Sequence, residues 1–169
     1  MKDWTHLRKE LHAYGSDMIA DNGTTYNPVP VFDIAKWTDY YYPFFSVFVD
    51  SEAAAQLETE DSIPNAQGLT SGIDNVDTAA VDVWIYAGFD CETGNEDEST
   101  YDDAAENCIN DVVLKYRGYM ATIYEDVNYY TIFEPLVIAS VSRMVSNENL
   151  TKGAVAIKCI IKTIRYYKQ

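Results

Sequence analysis

Between Lys36 and Lys115 the chain has no lysine or arginine, although its 169 residues contain 12 of them. The same stretch is rich in acid: from Asp39 to Asp111 it holds 18 of the 27 Asp and Glu residues. The first 36 residues are nearly neutral, with 4 basic and 5 acidic side chains, and the last 55 reverse the balance with 8 basic and 4 acidic. A one-signed segment of this length repels polyanions, so duplex DNA and anionic lipid lack the counterion-release term that would hold them. Segregation of this kind speaks about partners more than about fold, and it reads as an assembly surface rather than a catalytic one.

Other scarcities exclude further classes. Three cysteines, Cys91, Cys108 and Cys159, have no paired spacing, which predicts reduced thiols rather than a disulfide framework. Cys108 and Cys159 fall on apolar stripes and read as small core residues, leaving Cys91 as the one expected at the surface. No window approaches the ~18 apolar residues of a membrane span. Met1-Lys2-Asp3-Trp4 leads into a charged amphipathic stretch, which does not predict a signal peptide. Without one, the sequons at Asn22 and Asn149 read as turns.

Catalytic signatures are missing too. The two histidines, His6 and His12, stand six apart and point to different sides of one helix, not the four apart that would bring two imidazoles to a metal. Gly68-Leu-Thr-Ser-Gly72 lacks the spacing of a nucleophile elbow, and no phosphate-binding glycine loop occurs. The acidic run Asp90-Cys-Glu-Thr-Gly-Asn-Glu-Asp-Glu98 fails as an EF-hand. Counted from Asp90, glycine sits at the fifth place, where a ligand belongs, and the twelfth is Tyr101, which carries no carboxylate. A weak divalent site of another kind stays open; the expectation is no enzyme, no cofactor and no metal.

What the chain does have is a single domain's worth of apolar matter: 47% hydrophobic and 14% aromatic residues, with fourteen tyrosines. Tyrosine suits edges that meet water or a partner, although a wet-edged core accounts for some of them. Trp4, Leu7, Leu11, Tyr14 and Met18 predict a helix with Asp3 as cap and Asn22-Gly23 as stop. Tyr26 to Phe32, with two prolines, predicts an edge strand or extended arm, and Tyr40 to Val49 a strand with Phe45, Val47 and Val49 on one face. Residues 50–78 read as a long acidic surface loop, with room for a short helix over Ser51 to Glu58. Ala79 to Gly88 alternates as a strand with Val81, Val83 and Ile85 inward. A second helix begins near Ser99 or Thr100 with the stripe Ala105, Cys108, Ile109, Val112, Val113, Tyr116, Met120 and Ile123. Phe133 to Val145 and Gly153 to Tyr167 close the chain as a hairpin. The fold class is therefore α+β over residues 1–169, a mixed, mainly antiparallel sheet with two main helices on one face.

This order of elements resembles the tail-terminator and neck-ring proteins of tailed bacteriophages. In that family an N-terminal helix precedes a proline-bearing segment, a proline-led strand, a variable loop, a V-x-V strand, a long helix and a closing hairpin. The corresponding places here are Trp4 to Ile19, Tyr26 to Phe32, Pro43 to Val49, Val81 to Ala87, Tyr101 to Tyr124 and Phe133 to Tyr167. Two departures are the length of the loop from Asp50 to Thr78 and the apolar character of Phe133 to Val145.

The resemblance implies a structural virion protein, assembled in the bacterial host cytoplasm, that closes into a hexameric ring at the head-proximal end of a tail. The ring would end tube growth and join tube to neck or connector proteins, and DNA would pass through without specific binding. An acidic lumen fits that passage, because it lets phosphate slide rather than stick. Asp90, Glu92, Glu96, Asp97 and Glu98 are the candidates for lumen or rim, with a solvated outer loop as the equal alternative. Lys158, Lys162 and Arg165 are candidates for pairing with a neighbouring subunit's acids, against an ordinary basic outer face. Another collar or completion ring, and an acidic monomeric protein-binding module, remain competing readings.

Overall fold

The computed structural model describes residues 5–50, 56–58, 75–91, 98–120, 122–125, 128–132, 135–144 and 152–167. Its elements run α1 (Thr5–Tyr14), β1 (Asn27–Pro28), β2 (Phe44–Asp50), β3 (Gln56–Glu58), β4 (Asn75–Asp90), α2 (Glu98–Tyr116), β5 (Thr122–Glu125), β6 (Asn128–Ile132), β7 (Val137–Met144) and β8 (Lys152–Tyr167). The strands form one sheet in the order β1-β2-β4-β8-β6-β5, with β3 also on β4 and β7 also on β8. Among the described residues only β1 runs parallel to its neighbour; every other described pairing is antiparallel. The α+β class read from the sequence is the one observed.

Period-two alternation places Val81, Val83 and Ile85 of β4 opposite Ile161, Cys159 and Ile157 of β8, all fully buried. Phe45 and Val47 of β2 extend that layer. Leu7 and Leu11 of α1 and Ala105, Cys108, Val112 and Tyr116 of α2 pack on it, so both helices cover the same face. Each large aliphatic side chain buried there contributes about 1.5–3 kcal/mol.

The first helix is shorter than the apolar stripe predicts. It ends at Tyr14 and tightens into a 3-10 turn, Gly15–Asp17. Glycine is needed at the start of that turn: a Cβ on Gly15 would stand 2.2 Å from the Tyr116 hydroxyl, so its absence is what lets α2 come this close. Asn22-Gly23 is not the helix stop. It forms a tight turn, with Gly23 at φ 81° and the Thr24 amide donating to Asn22 Oδ1 at 2.9 Å, closed by the Ile19–Thr25 bridge.

Strand β4 starts at Asn75, inside the span read as loop, because β8 and β3 pair with its first residues. Gln56–Glu58 is strand rather than helix, paired to Ala80–Thr78; residues 51–55 and most of the predicted loop lie outside the described residues. The second helix ends at Tyr116, although Met120 and Ile123 keep its period. Gly118, at φ 76°, turns the chain, and its amide donates to the Leu136 carbonyl at 3.2 Å. Met120 is exposed, and Ile123 belongs to the β5–β6 hairpin, which the periodicity reading missed. Of the predicted strand Phe133 to Val145, residues 133–134 and 145 lie outside the described residues, Pro135 and Leu136 are not strand, and β7 runs from Val137 with an irregularity between Ile138 and Ser140.

The second sheet face is partly covered by the segment between β1 and β2. Phe32 stacks on Tyr86 at 4.2 Å, and Trp37 packs with Phe44 and Ala154, flanked by Tyr40, Tyr42 and Met144.

Candidate functional site

Charge that is segregated along the sequence is also segregated across the sheet. β2, β3 and β4 carry Asp50, Glu58, Asp77, Asp82 and Asp90 and no base, while β7 and β8 carry Arg143, Lys152, Lys158, Lys162 and Arg165 and no acid. The two groups meet along the β4–β8 seam. Asp90 is in register with Lys152 and Asp77 with Arg165. Lys158 Nζ lies 3.0 Å from Asp82 Oδ2, and it also sits over the Trp84 ring. Lys158 is thus engaged inside its own subunit, and Lys162 also has a partner within the chain. Arg165 is placed by register between Asp77 and Tyr130. Lys158 and Lys162 thus have partners within the chain, and the basic strand β8 lies beside the acidic strand β4 along this seam.

Of the acidic run, Asp90 is exposed at the end of β4, and Glu98 begins α2. Glu92, Glu96 and Asp97 lie outside the described residues. Cys91 corrects the sequence reading: it is 5% exposed and packs in the main core next to the strand end. Burial and the neighbouring Asp90 charge raise its thiol, and burial pushes Cys108 and Cys159 up to about 12. None of the three presents a reactive thiolate.

Between the Asn22 turn, the end of β4 and α2 lies a cavity of about 210 Å³, edged by Asp21, Asp90 and Asp111. Tyr26 donates its hydroxyl to Asp111 Oδ2 at 2.9 Å. Burial raises both groups, so Tyr26 stays a phenol and Asp111 lies above the usual carboxylate range. Among the described residues no group of three or more His, Cys, Asp or Glu is arranged to hold a metal. His12 lies against Phe45 with ring centroids 4.9 Å apart; its Nε2 has no partner among the described residues, and burial lowers its pKa. This histidine packs against the Phe45 ring.

The tyrosines divide in a way composition did not foretell. Tyr116 donates to the Leu11 carbonyl at 2.6 Å and Tyr42 to the Trp37 carbonyl at 2.7 Å, and the Tyr40 hydroxyl accepts from the Asp33 amide at 2.8 Å. With Tyr26, these serve the fold internally. Tyr41, at 87% exposed, does not. No helix among the described residues is long and apolar enough to cross a membrane. No family model matches the chain, and no curated protein matches it.

Proposed function

We propose that the chain is a structural virion protein that closes into a ring, expected to be a hexamer, at the head-proximal end of a phage tail. There it ends tube growth and joins the tail to neck or connector proteins. The observation that carries this reading is the charge arrangement. A segment of about eighty residues without a cation supplies β2, β3, β4 and most of α2, and β4 ends in an exposed carboxylate at Asp90 where the acidic run begins. A ring presenting that side inward makes a conduit along which DNA phosphate is repelled and slides. The order of elements, now with an α+β sheet and both helices on one face, fits the same reading.

The test is cryo-EM and mass photometry of the purified full chain, alone and with tail tubes. Capped tubes bearing a closed ring are expected, with no retention of duplex DNA in a mobility assay at moderate salt. A particle that stays monomeric in the presence of tubes overturns the proposal.

A further inference from the structure

Asn22-Gly23 is the one Asn-Gly pair in the sequence, and the fold sets it in an exposed turn. Gly23, at φ 81°, holds a conformation that strains any side chain, and no described atom stands within 4 Å of the place a Cβ would take. Its backbone nitrogen is therefore sterically open to the residue before it. The Asn22 side chain is turned that way. Its Oδ1 accepts from the Thr24 amide at 2.9 Å, which folds the carboxamide forward along the Gly23 peptide and polarises its carbonyl. One bond restrains the nucleophile: the Gly23 amide donates to the Ala20 carbonyl at 2.9 Å.

We infer that Asn22 is a site of self-modification, converted through a succinimide to aspartate and isoaspartate when the turn opens. The Gly23 nitrogen gives up its proton and bonds to Asn22 Cγ. The Cγ–Nδ2 bond breaks, and Nδ2 takes the proton and leaves as ammonia. Water then opens the ring, its hydroxyl going to carbon and its hydrogen to the Gly23 nitrogen. Cleavage at Cγ gives aspartate, and cleavage at the Asn22 backbone carbonyl gives isoaspartate. Nothing is oxidised or reduced, and water is the sole co-reactant.

The fold sets the rate through the turn. Besides the Gly23–Ala20 bond, the turn is closed by the Ala20 amide on the Thr24 carbonyl at 2.9 Å and by the Ile19–Thr25 bridge. Ile19, Thr24 and Thr25 are all exposed, so this turn opens without unfolding the sheet. Folding therefore slows the reaction and does not stop it. The product changes the neighbourhood in one direction. Asn22 edges the cavity that also holds Asp21, Asp90 and Asp111, so a new carboxylate joins three others in a chain already at −15. Isoaspartate also adds a methylene to the backbone of the turn, which then cannot remake its bonds in register. This inference stands whether or not the chain forms a ring.

The test incubates the full chain at pH 8 in heavy-oxygen water, folded and in urea, and maps the peptides by mass spectrometry. Asn22 is expected to convert ahead of every other asparagine, to take up one heavy oxygen, and to yield isoaspartate as well as aspartate. The folded rate should be roughly tenfold below the rate in urea. Gly23→Ala should slow conversion in urea, where no fold is left to disturb. Asn22→Asp, made directly, should lower the denaturant midpoint at pH 7. Conversion of another asparagine first, or none at Asn22 in the folded chain, overturns the site. Equal rates folded and unfolded remove the gating by the turn, and an unchanged midpoint in Asn22→Asp removes the effect on the acidic cavity.

Discussion

Lys158 and Asp82 meet at 3.0 Å on the sheet face turned away from the helices, a diagonal pair two residues off strict cross-strand register. Their side chains are 33% and 19% exposed, so the pair is half-shielded from water and more than a surface ornament. It stitches the acidic strand β4 to the basic strand β8, the two longest in the sheet. A net charge of −15 is thus locally neutralised at the seam that most needs it.

Breaking this pair should cost stability without changing the fold. Asp82→Asn and Lys158→Met are each expected to lose roughly 1 kcal/mol, with the double variant less than additive because each single leaves a partner unpaired. Urea denaturation of the four proteins of the cycle measures the coupling. Strict additivity would mean that the two charges do not interact.

How far the sequence carried depends on whether a structure is made locally. Val81, Val83 and Ile85, alternating over a run without glycine, could be assigned to a core face because strand pleat alone decides it. The Cys108–Val112–Tyr116 stripe was legible for the same reason. Helix ends were not, because they are set by distant neighbours: Gly15 yields to Tyr116, a hundred residues away. Cys91 follows an acidic residue and opens an acidic run, so it reads as exposed, yet the strand carries its side chain back into the core. The β5–β6 hairpin had a signal in the aromatic and β-branched Thr122-Ile-Tyr and Tyr129-Tyr-Thr-Ile132, overridden by a helical period that Gly118 interrupts.

The Gly15–Tyr116 approach makes a paired prediction. Gly15→Ala places a Cβ 2.2 Å from the Tyr116 hydroxyl and 2.8 Å from the Phe45 ring, an overpacking expected to cost about 1–3 kcal/mol. Tyr116→Phe alone loses the bond to the Leu11 carbonyl, about 1 kcal/mol. In combination they should cost less than their sum, because removing the hydroxyl opens the space the methyl needs. Thermal unfolding of all three decides it; a fully additive double variant would show that the hydroxyl is not what excludes the side chain.

The thiols provide a direct check on burial. Cys91, Cys108 and Cys159 are 5%, 2% and 0% exposed, and desolvation disfavours all three thiolates. Native protein at pH 8 is expected to leave all of them unreacted towards a disulfide reagent over minutes, and guanidinium to release three. Rapid native labelling of one thiol, mapped to Cys91, would place that residue at the surface where its sequence neighbours suggested it belonged.

Two aspartates should pull stability in opposite directions with pH. Burial raises Asp111 above its unfolded value, only partly offset by the bond from Tyr26, so its ionised form is penalised in the fold at neutral pH. That penalty disappears as pH falls through the raised folded value to below the unfolded one, near ~3.9. Asp17 is the reverse case. Its bond to Lys115, 2.6 Å away, holds it below the ordinary value, so its contribution is present above the unfolded pKa and is lost as pH falls through the folded one. Asp111→Asn, whose amide oxygen still accepts from Tyr26, is therefore expected to stabilise at pH 7 and to converge on the parent in acid. Asp17→Asn should weaken the fold slightly at pH 7 and converge likewise. Denaturant midpoints at pH 7, 5 and 3 give both signs and the convergence, and a loss of stability in Asp111→Asn at pH 7 would refute the claim that its buried charge opposes folding.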